Sequence, residues 1–151
     1  MIIDLAPLDA LAALAERIGA RCWIGPAPSG DALARARSVA AQLRYPSARQ
    51  IGPGHDPVAT LVSLNREEAA RALAVAAGSL AYGDYRPDPA VHALATVALA
   101  PFGNDATFLS NGHWDERRGI EWTPLSDATF DAGVIGWDAR RAFILWVEEE
   151  D

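Results

Sequence analysis

Residues 131–151 read DAGVIGWDARRAFILWVEEED, and this stretch decides the fold. Gly133 to Trp137 and Ala142 to Val147 are rich in β-branched and aromatic residues, and polar Asp138 to Arg141 separates them. That pattern predicts a two-stranded hairpin running into an acidic tail. With Ala139 and Arg140 at the tip, Asp138 faces Arg141, Trp137 faces Ala142, Ile135 faces Ile144 and Val134 faces Leu145. Gly136 then falls opposite Phe143, and Gly133 opposite Trp146. Rings over glycines and opposite charges at the mouth are favourable cross-strand pairs. Both strands are apolar on both faces, so the hairpin is expected at the centre of a sheet covered on its two sides.

Upstream the periodicity is helical. Leu8, Leu11, Leu14, Ala15 and Ile18 repeat at helical spacing within Leu5 to Ile18, with Gly19 as C-cap. Arg21 to Ile24 is a short strand, and Gly25 to Gly30 a loop. Ser29 or Asp31 caps a second helix running to about Arg44, with Leu33, Ala36, Val39, Ala40 and Leu43 on one face. Residues 46–57 hold three prolines and two glycines and read as loop. Val58 to Leu64 is open between buried strand and short helix, with strand favoured. Asn65-Arg-Glu-Glu68 is a capping-box pattern and opens a helix to about Leu80. Gly83 to Pro87 is a turn, and Asp88-Pro89 starts a helix to Ala100. Alanine then drops from 26 in residues 1–100 to 5 in residues 101–151. Thr107 to Leu109 and Ile120 to Thr123 read as strands, with a turn at Asn111-Gly112. The expected class is α+β, in which alanine-rich helices pack on a C-terminal antiparallel sheet ending in the hairpin. At 151 residues without a flexible linker, one domain over 1–151 is expected, mainly helical to residue 100 and mainly β beyond it.

Charge narrows the functional classes. The formal net charge is −7. Residues 1–100 hold nine acidic residues and nine arginines, whereas residues 101–151 hold eleven and four. The whole excess therefore lies in the last third, with all four phenylalanines and four of five tryptophans. Such a balance argues against nucleic acid as partner, since that needs a basic footprint. It suits a basic partner, or solubility alone. All thirteen basic residues are arginine, which excludes a Schiff-base or phosphate-loop lysine. The single cysteine, Cys22, can form no internal disulfide and reads as a small buried hydrophobe. The first twenty residues carry Asp4 and Asp9 within their apolar part and no basic segment, and no run reaches the ~18 apolar residues of a membrane helix. A cytoplasmic protein without a membrane association is expected.

No motif fixes a reaction. Gly25 to Gly30 has the outline of a phosphate loop, but Asp31-Ala32 follows where lysine and a hydroxyl belong. His92 sits within a predicted helix and reads as structural. His55 with Asp56, and His113 with Asp115 and Glu116, lie in predicted loops and are the candidates for a His/carboxylate or metal site, without a metal-ligand spacing between them. No cofactor is expected. The segment Gly112 to Trp122, GHWDERRGIEW, places tryptophan, acid and arginine in what should be an exposed loop. Exposed tryptophan and arginine are preferred interface anchors, and the alternative is tryptophans folded back as lids on the core.

In size, acidic balance, absence of an export signal and of a catalytic constellation, and in its ending from Phe130 to Asp151, the chain resembles the small acidic cytoplasmic immunity proteins of bacterial toxin–immunity systems. The resemblance implies a non-enzyme that occludes the active site of a cognate protein toxin with a basic surface. The contact residues expected are Trp114, Asp115, Glu116, Glu121 and Trp122, with Glu148, Glu149, Glu150 and Asp151 of the tail. A small His/carboxylate enzyme and a non-catalytic regulatory subunit with an apolar oligomer face are the alternatives.

Overall fold

The computed structural model describes residues 8–47, 54–78, 80, 85–115 and 120–150. Within them the order is α1 (Asp9–Ile18), β1 (Arg21–Pro26), α2 (Ala32–Ala41), β2 (Val62–Leu64), α3 (Arg66–Ala76), α4 (Pro89–Leu99), β3 (Thr107–Ser110), β4 (Phe130–Trp137) and β5 (Arg141–Glu149). The strands form one antiparallel sheet in the order β1-β5-β4-β3-β2. The chain is thus an α+β fold. No helix among the described residues is long and apolar enough to cross a membrane.

The hairpin has the register its residues imply. Trp137 pairs with Ala142, Gly136 with Phe143, Ile135 with Ile144, Val134 with Leu145 and Gly133 with Trp146. The ladder continues to Phe130 and Glu149, beyond the strand ends expected from composition. β4 and β5 occupy central positions, and Ala132 to Trp137 and Ala142 to Val147 are buried throughout. Successive side chains alternate between faces. Ala132, Val134, Phe143, Leu145 and Val147 join the core against α1, α3 and α4. Ile135, Trp137, Ala142, Ile144 and Trp146 join a second core under α2, with Tyr45, Val58 and Leu125. At Gly133 an added Cβ would lie 2.6 Å from the Trp146 ring, so the indole is seated where only glycine leaves room.

Local signals place the helices. Asn65 Oδ1 accepts from Glu68 N at 2.8 Å, and Glu68 Oε1 accepts from Asn65 N at 2.9 Å, completing the capping box. Asp88 caps α4 through Ala90 N and Val91 N. Gly19 closes α1 in the left-handed conformation. Asp31, not Ser29, caps α2.

Several boundaries differ from expectation. Leu33 is exposed, because α2 contacts the sheet through Ala36, Val39 and Ala40 while its first turn overhangs a cleft. β2 covers only Val62–Leu64, as Pro57 to Thr60 form a turn. α3 stops at Ala76, before Gly78. Ile120 to Thr123 make a single bridge, Gly112 to Trp122, and no strand. The expected start of the first helix, the centre of the 46–57 loop and most of the 83–87 turn lie outside the described residues.

Candidate functional site

The segment expected to carry function leaves the sheet after β3 and returns before β4. Its ends are fastened together. Thr123 N donates to Asn111 O at 2.8 Å, and Gly112 bridges Trp122. A Cβ at Gly112 would come within 2.6 Å of the Glu121 carbonyl oxygen, so a side chain there would force this neck open.

Inside the neck, Trp114 turns back into the molecule. Its side chain is 0% exposed, so the lid-like alternative holds for it and its ring offers no surface to a partner. Trp114 Nε1 donates to Ser110 Oγ at 3.0 Å, and Ser110 Oγ donates to Gly133 O at 2.6 Å. The Arg71 side chain donates from Nε to Trp114 O at 3.0 Å. Trp114 adopts φ 56°, a left-handed conformation that costs a bulky residue on the order of 1 kcal/mol or more and that its burial and its hydrogen bonds to Ser110 and Arg71 sustain. Its ring stacks between Tyr85, at 6.0 Å, and Trp122, at 6.2 Å. Trp122 in turn lies 6.0 Å from Phe130 at the start of β4. This four-ring row roots the loop, and Trp122 is half-buried as its outer part.

A second network holds the neck from the opposite face of the sheet. Asp131 is fully buried. Its Oδ2 accepts from Leu125 N at 2.8 Å, Ser126 N at 2.7 Å and Trp146 Nε1 at 3.0 Å. Asn111 Nδ2 donates to Asp131 Oδ1 at 3.1 Å and to Asp131 O at 2.9 Å. Burial pushes the Asp131 carboxyl above its ordinary range, against the opposing pull of these donors.

The predicted contact residues are thereby sorted. Glu121 is exposed and Asp115 half-buried on the loop. Glu121 and Trp122 line an open cleft of about 550 Å³ with Thr60, Val62, His113 and Thr123. Glu116 and Asp151 lie outside the described residues. Glu148 to Glu150 are tied to the body of the protein. Glu148 accepts from the Tyr45 hydroxyl and from Arg21 Nη1, the latter at 3.2 Å. Glu149 Oε2 accepts from Leu80 N at 2.6 Å. Glu150 accepts from Thr129 Oγ1 at 2.7 Å and Thr129 N at 3.3 Å. The cause is strand length: β5 runs to Glu149, so the first two glutamates belong to the sheet.

A second open cleft, of about 640 Å³, went unseen in the sequence. Ser29, Gly30 and Arg35 meet Asp105, Thr107, Trp137 and Asp138 there. Only folding joins these groups, since Asp105 and Asp138 come from turns far apart in the chain. Of the Gly25–Gly30 stretch, Gly25 and Pro26 end β1 and only Ala27 to Gly30 form the loop that leads to α2, where Asp31 Oδ1 accepts from Ala34 N at 2.9 Å, so the chain's own carboxylate sits at the helix start. Burial alone would raise the Asp138 carboxyl. Donors from Arg140 N, Arg141 N, Gly103 N and the Arg141 guanidinium outweigh it and hold the group below its ordinary value.

Histidine chemistry is sparse. His92 Nε2 lies 2.8 Å from Glu67 Oε1, tying α4 to α3. His113 lines the 550 Å³ cleft, whereas His55 does not. Among the described residues no three metal-ligating side chains cluster. Cys22 is half-buried, and burial raises its thiol above the ordinary value, which disfavours the thiolate. Compared with known protein families, curated proteins and solved structures, the chain matches none.

Proposed function

We propose that the protein acts by binding: it is an immunity-type inhibitor that covers the active site of a cognate toxin with the loop between Gly112 and Trp122. The observation that carries this reading is the fastening of that loop. Its neck is closed by a hydrogen bond and a bridge, and its base is rooted on a row of four rings in contact. Loop ends held this way lose little freedom on binding, which favours affinity. It presents Glu121 beside the half-buried Trp122 on an open cleft. The acidic excess of residues 101–151 supports a basic partner, since complementary charge speeds encounter. The exposed Glu148 and Glu150 add to that field while their hydrogen bonds fix them.

The test is titration calorimetry and stopped-flow binding against the product of the adjacent gene. A complex is expected, with association slowing as salt rises. E121R and W122A should each weaken it by at least about tenfold while the melting temperature of E121R stays unchanged. No complex, or affinity indifferent to both substitutions, would dismiss the reading.

A further inference from the structure

The open cleft of about 640 Å³ at the hairpin end of the sheet takes no part in the toxin-binding reading. Four strands meet that end, with Pro26 of β1 paired to Arg141 of β5, Ala142 of β5 to Trp137 of β4, and Trp137 to Thr107 of β3. Thr107 and Trp137 are direct partners and so share a face of the sheet, and both line the cleft. One wall is the start of α2 with the loop before it, carrying Arg35, and the other is the turn that carries Asp105. In the order β1-β5-β4-β3 the ends of β1 and β3 stand three strand spacings apart, about 14 Å.

Each wall carries a charge left unmatched among the described residues. Arg35 Nε donates to Gly30 O at 2.8 Å, which anchors the guanidinium, while its two terminal nitrogens meet no acceptor there. Asp105 meets no donor there. Asp138 differs, because its oxygens already accept from Arg140 N, Arg141 N, Gly103 N and the Arg141 guanidinium. Between the walls, Trp137 is 4% exposed, and its indole N–H has no acceptor among the described residues. Buried polar groups are almost always paired, so an unpaired indole N–H on a residue that lines a cleft calls for an oxygen from outside the chain.

We infer that the cleft binds a small zwitterion whose ammonium and carboxylate are several bonds apart, the chemistry of a dipeptide or an ω-amino acid. Its carboxylate lies on the Arg35 fork, which holds both oxygens of such a group. Its ammonium lies on Asp105, and its middle spans Trp137 and Thr107. Charge disfavours the other ligand classes. An anion alone meets Asp105, Asp138 and the Asp31 carboxylate at the start of α2, and a cation alone meets Arg35. A ligand with both charges is opposed at neither wall. The breadth of the cleft sets their separation, since the two charged groups of an α-amino acid share one carbon and sit too close together to serve both walls.

Proton–nitrogen correlation NMR on the full chain tests this, with diglycine and γ-aminobutyrate as the zwitterions. Butylamine and butanoate are the singly charged controls, and glycine is the short zwitterion. The assigned indole N–H signal of Trp137 should move saturably with diglycine and γ-aminobutyrate, and the three controls should bind at least about tenfold more weakly. R35Q should bring the affinity for γ-aminobutyrate down to that for butylamine, and D105N down to that for butanoate, both with melting temperatures unchanged. A local disturbance of structure does not produce that pattern, because each variant keeps the singly charged ligand that the other loses. No saturable movement with either zwitterion overturns the inference. Equal binding of the controls, or affinity indifferent to both substitutions, overturns it as well. The cleft shares no lining residue with the one beside Glu121 and Trp122, and toxin binding is read separately, so either proposal can fail alone.

Discussion

Trp146 Nε1 donates to Asp131 Oδ2 across 3.0 Å, and both side chains are fully buried, on adjacent central strands. The same oxygen receives Leu125 N and Ser126 N, so one carboxylate fastens β5, β4 and the segment between loop and hairpin. Removing it leaves three donors buried without a partner. D131A should lower stability by about 2–5 kcal/mol in urea unfolding. The pH dependence has a definite sign. Burial raises the folded-state value, so the native protein holds this proton more tightly than the unfolded chain. The contribution is complete below the unfolded value and declines as pH rises through the folded one. Wild type should lose ground to D131N as pH climbs over that window, and a difference that grows instead would contradict the burial argument.

Asp138 should behave oppositely. Its four donors hold the folded value below the ordinary one, so its contribution is present above the unfolded value and disappears as pH falls through the folded value. D138N should cost about 1–3 kcal/mol near neutrality, and the gap should close in acid. Denaturant midpoints of the two proteins between about pH 2 and pH 7 check this. Parallel curves would show that the carboxylate charge is immaterial.

Gly133 is a packing requirement. A methyl group there meets the Trp146 ring at 2.6 Å as well as the Leu145 carbonyl, and neither can withdraw because both belong to β5. G133A should destabilise the fold by about 3 kcal/mol. G19A offers the contrast, since nothing lies within 4 Å of a Cβ at that position and only its left-handed φ of 70° resists substitution. That strain should cost about 1 kcal/mol. Equal melting temperatures for the two variants would refute the contact argument.

The tail glutamates are structural ties. E149A removes the acceptor of Leu80 N, a buried residue's amide, and should cost about 1–2 kcal/mol. E150A breaks exposed bonds to Thr129 and should cost less than about 1 kcal/mol. Thermal melts at two salt concentrations separate the two, because the better-shielded contact responds less to salt. A tail that is merely solvated would show no loss in either variant.

Strand pairing and helix caps were legible because they depend on neighbours in sequence. The register of β4 on β5 follows from turn length and from glycines facing rings. The caps at Asn65, Asp88 and Gly19 follow from side chains reaching donors two to three residues away, or from one left-handed residue. Periodicity failed where a face reaches past the layer that covers it. Leu33 fits the α2 stripe in sequence but is left exposed, while Ala36, Val39 and Ala40 are buried.

The amino-acid sequence by itself determined the α+β class, the central two-faced hairpin and the concentration of acid in residues 101–151. Only the tertiary structure decided what the polar and aromatic groups do. It buried Trp114, turned Glu148 to Glu150 into ties, and gathered Asp138, Asp105 and Arg35 around one cleft. The reason is reach. Hairpins and caps form over a few residues, whereas the partner of a buried donor or carboxylate is set by the sheet order β1-β5-β4-β3-β2. That order brings Arg21 to Glu148 and Arg71 to Trp114, contacts between segments whose local sequence holds no record of each other.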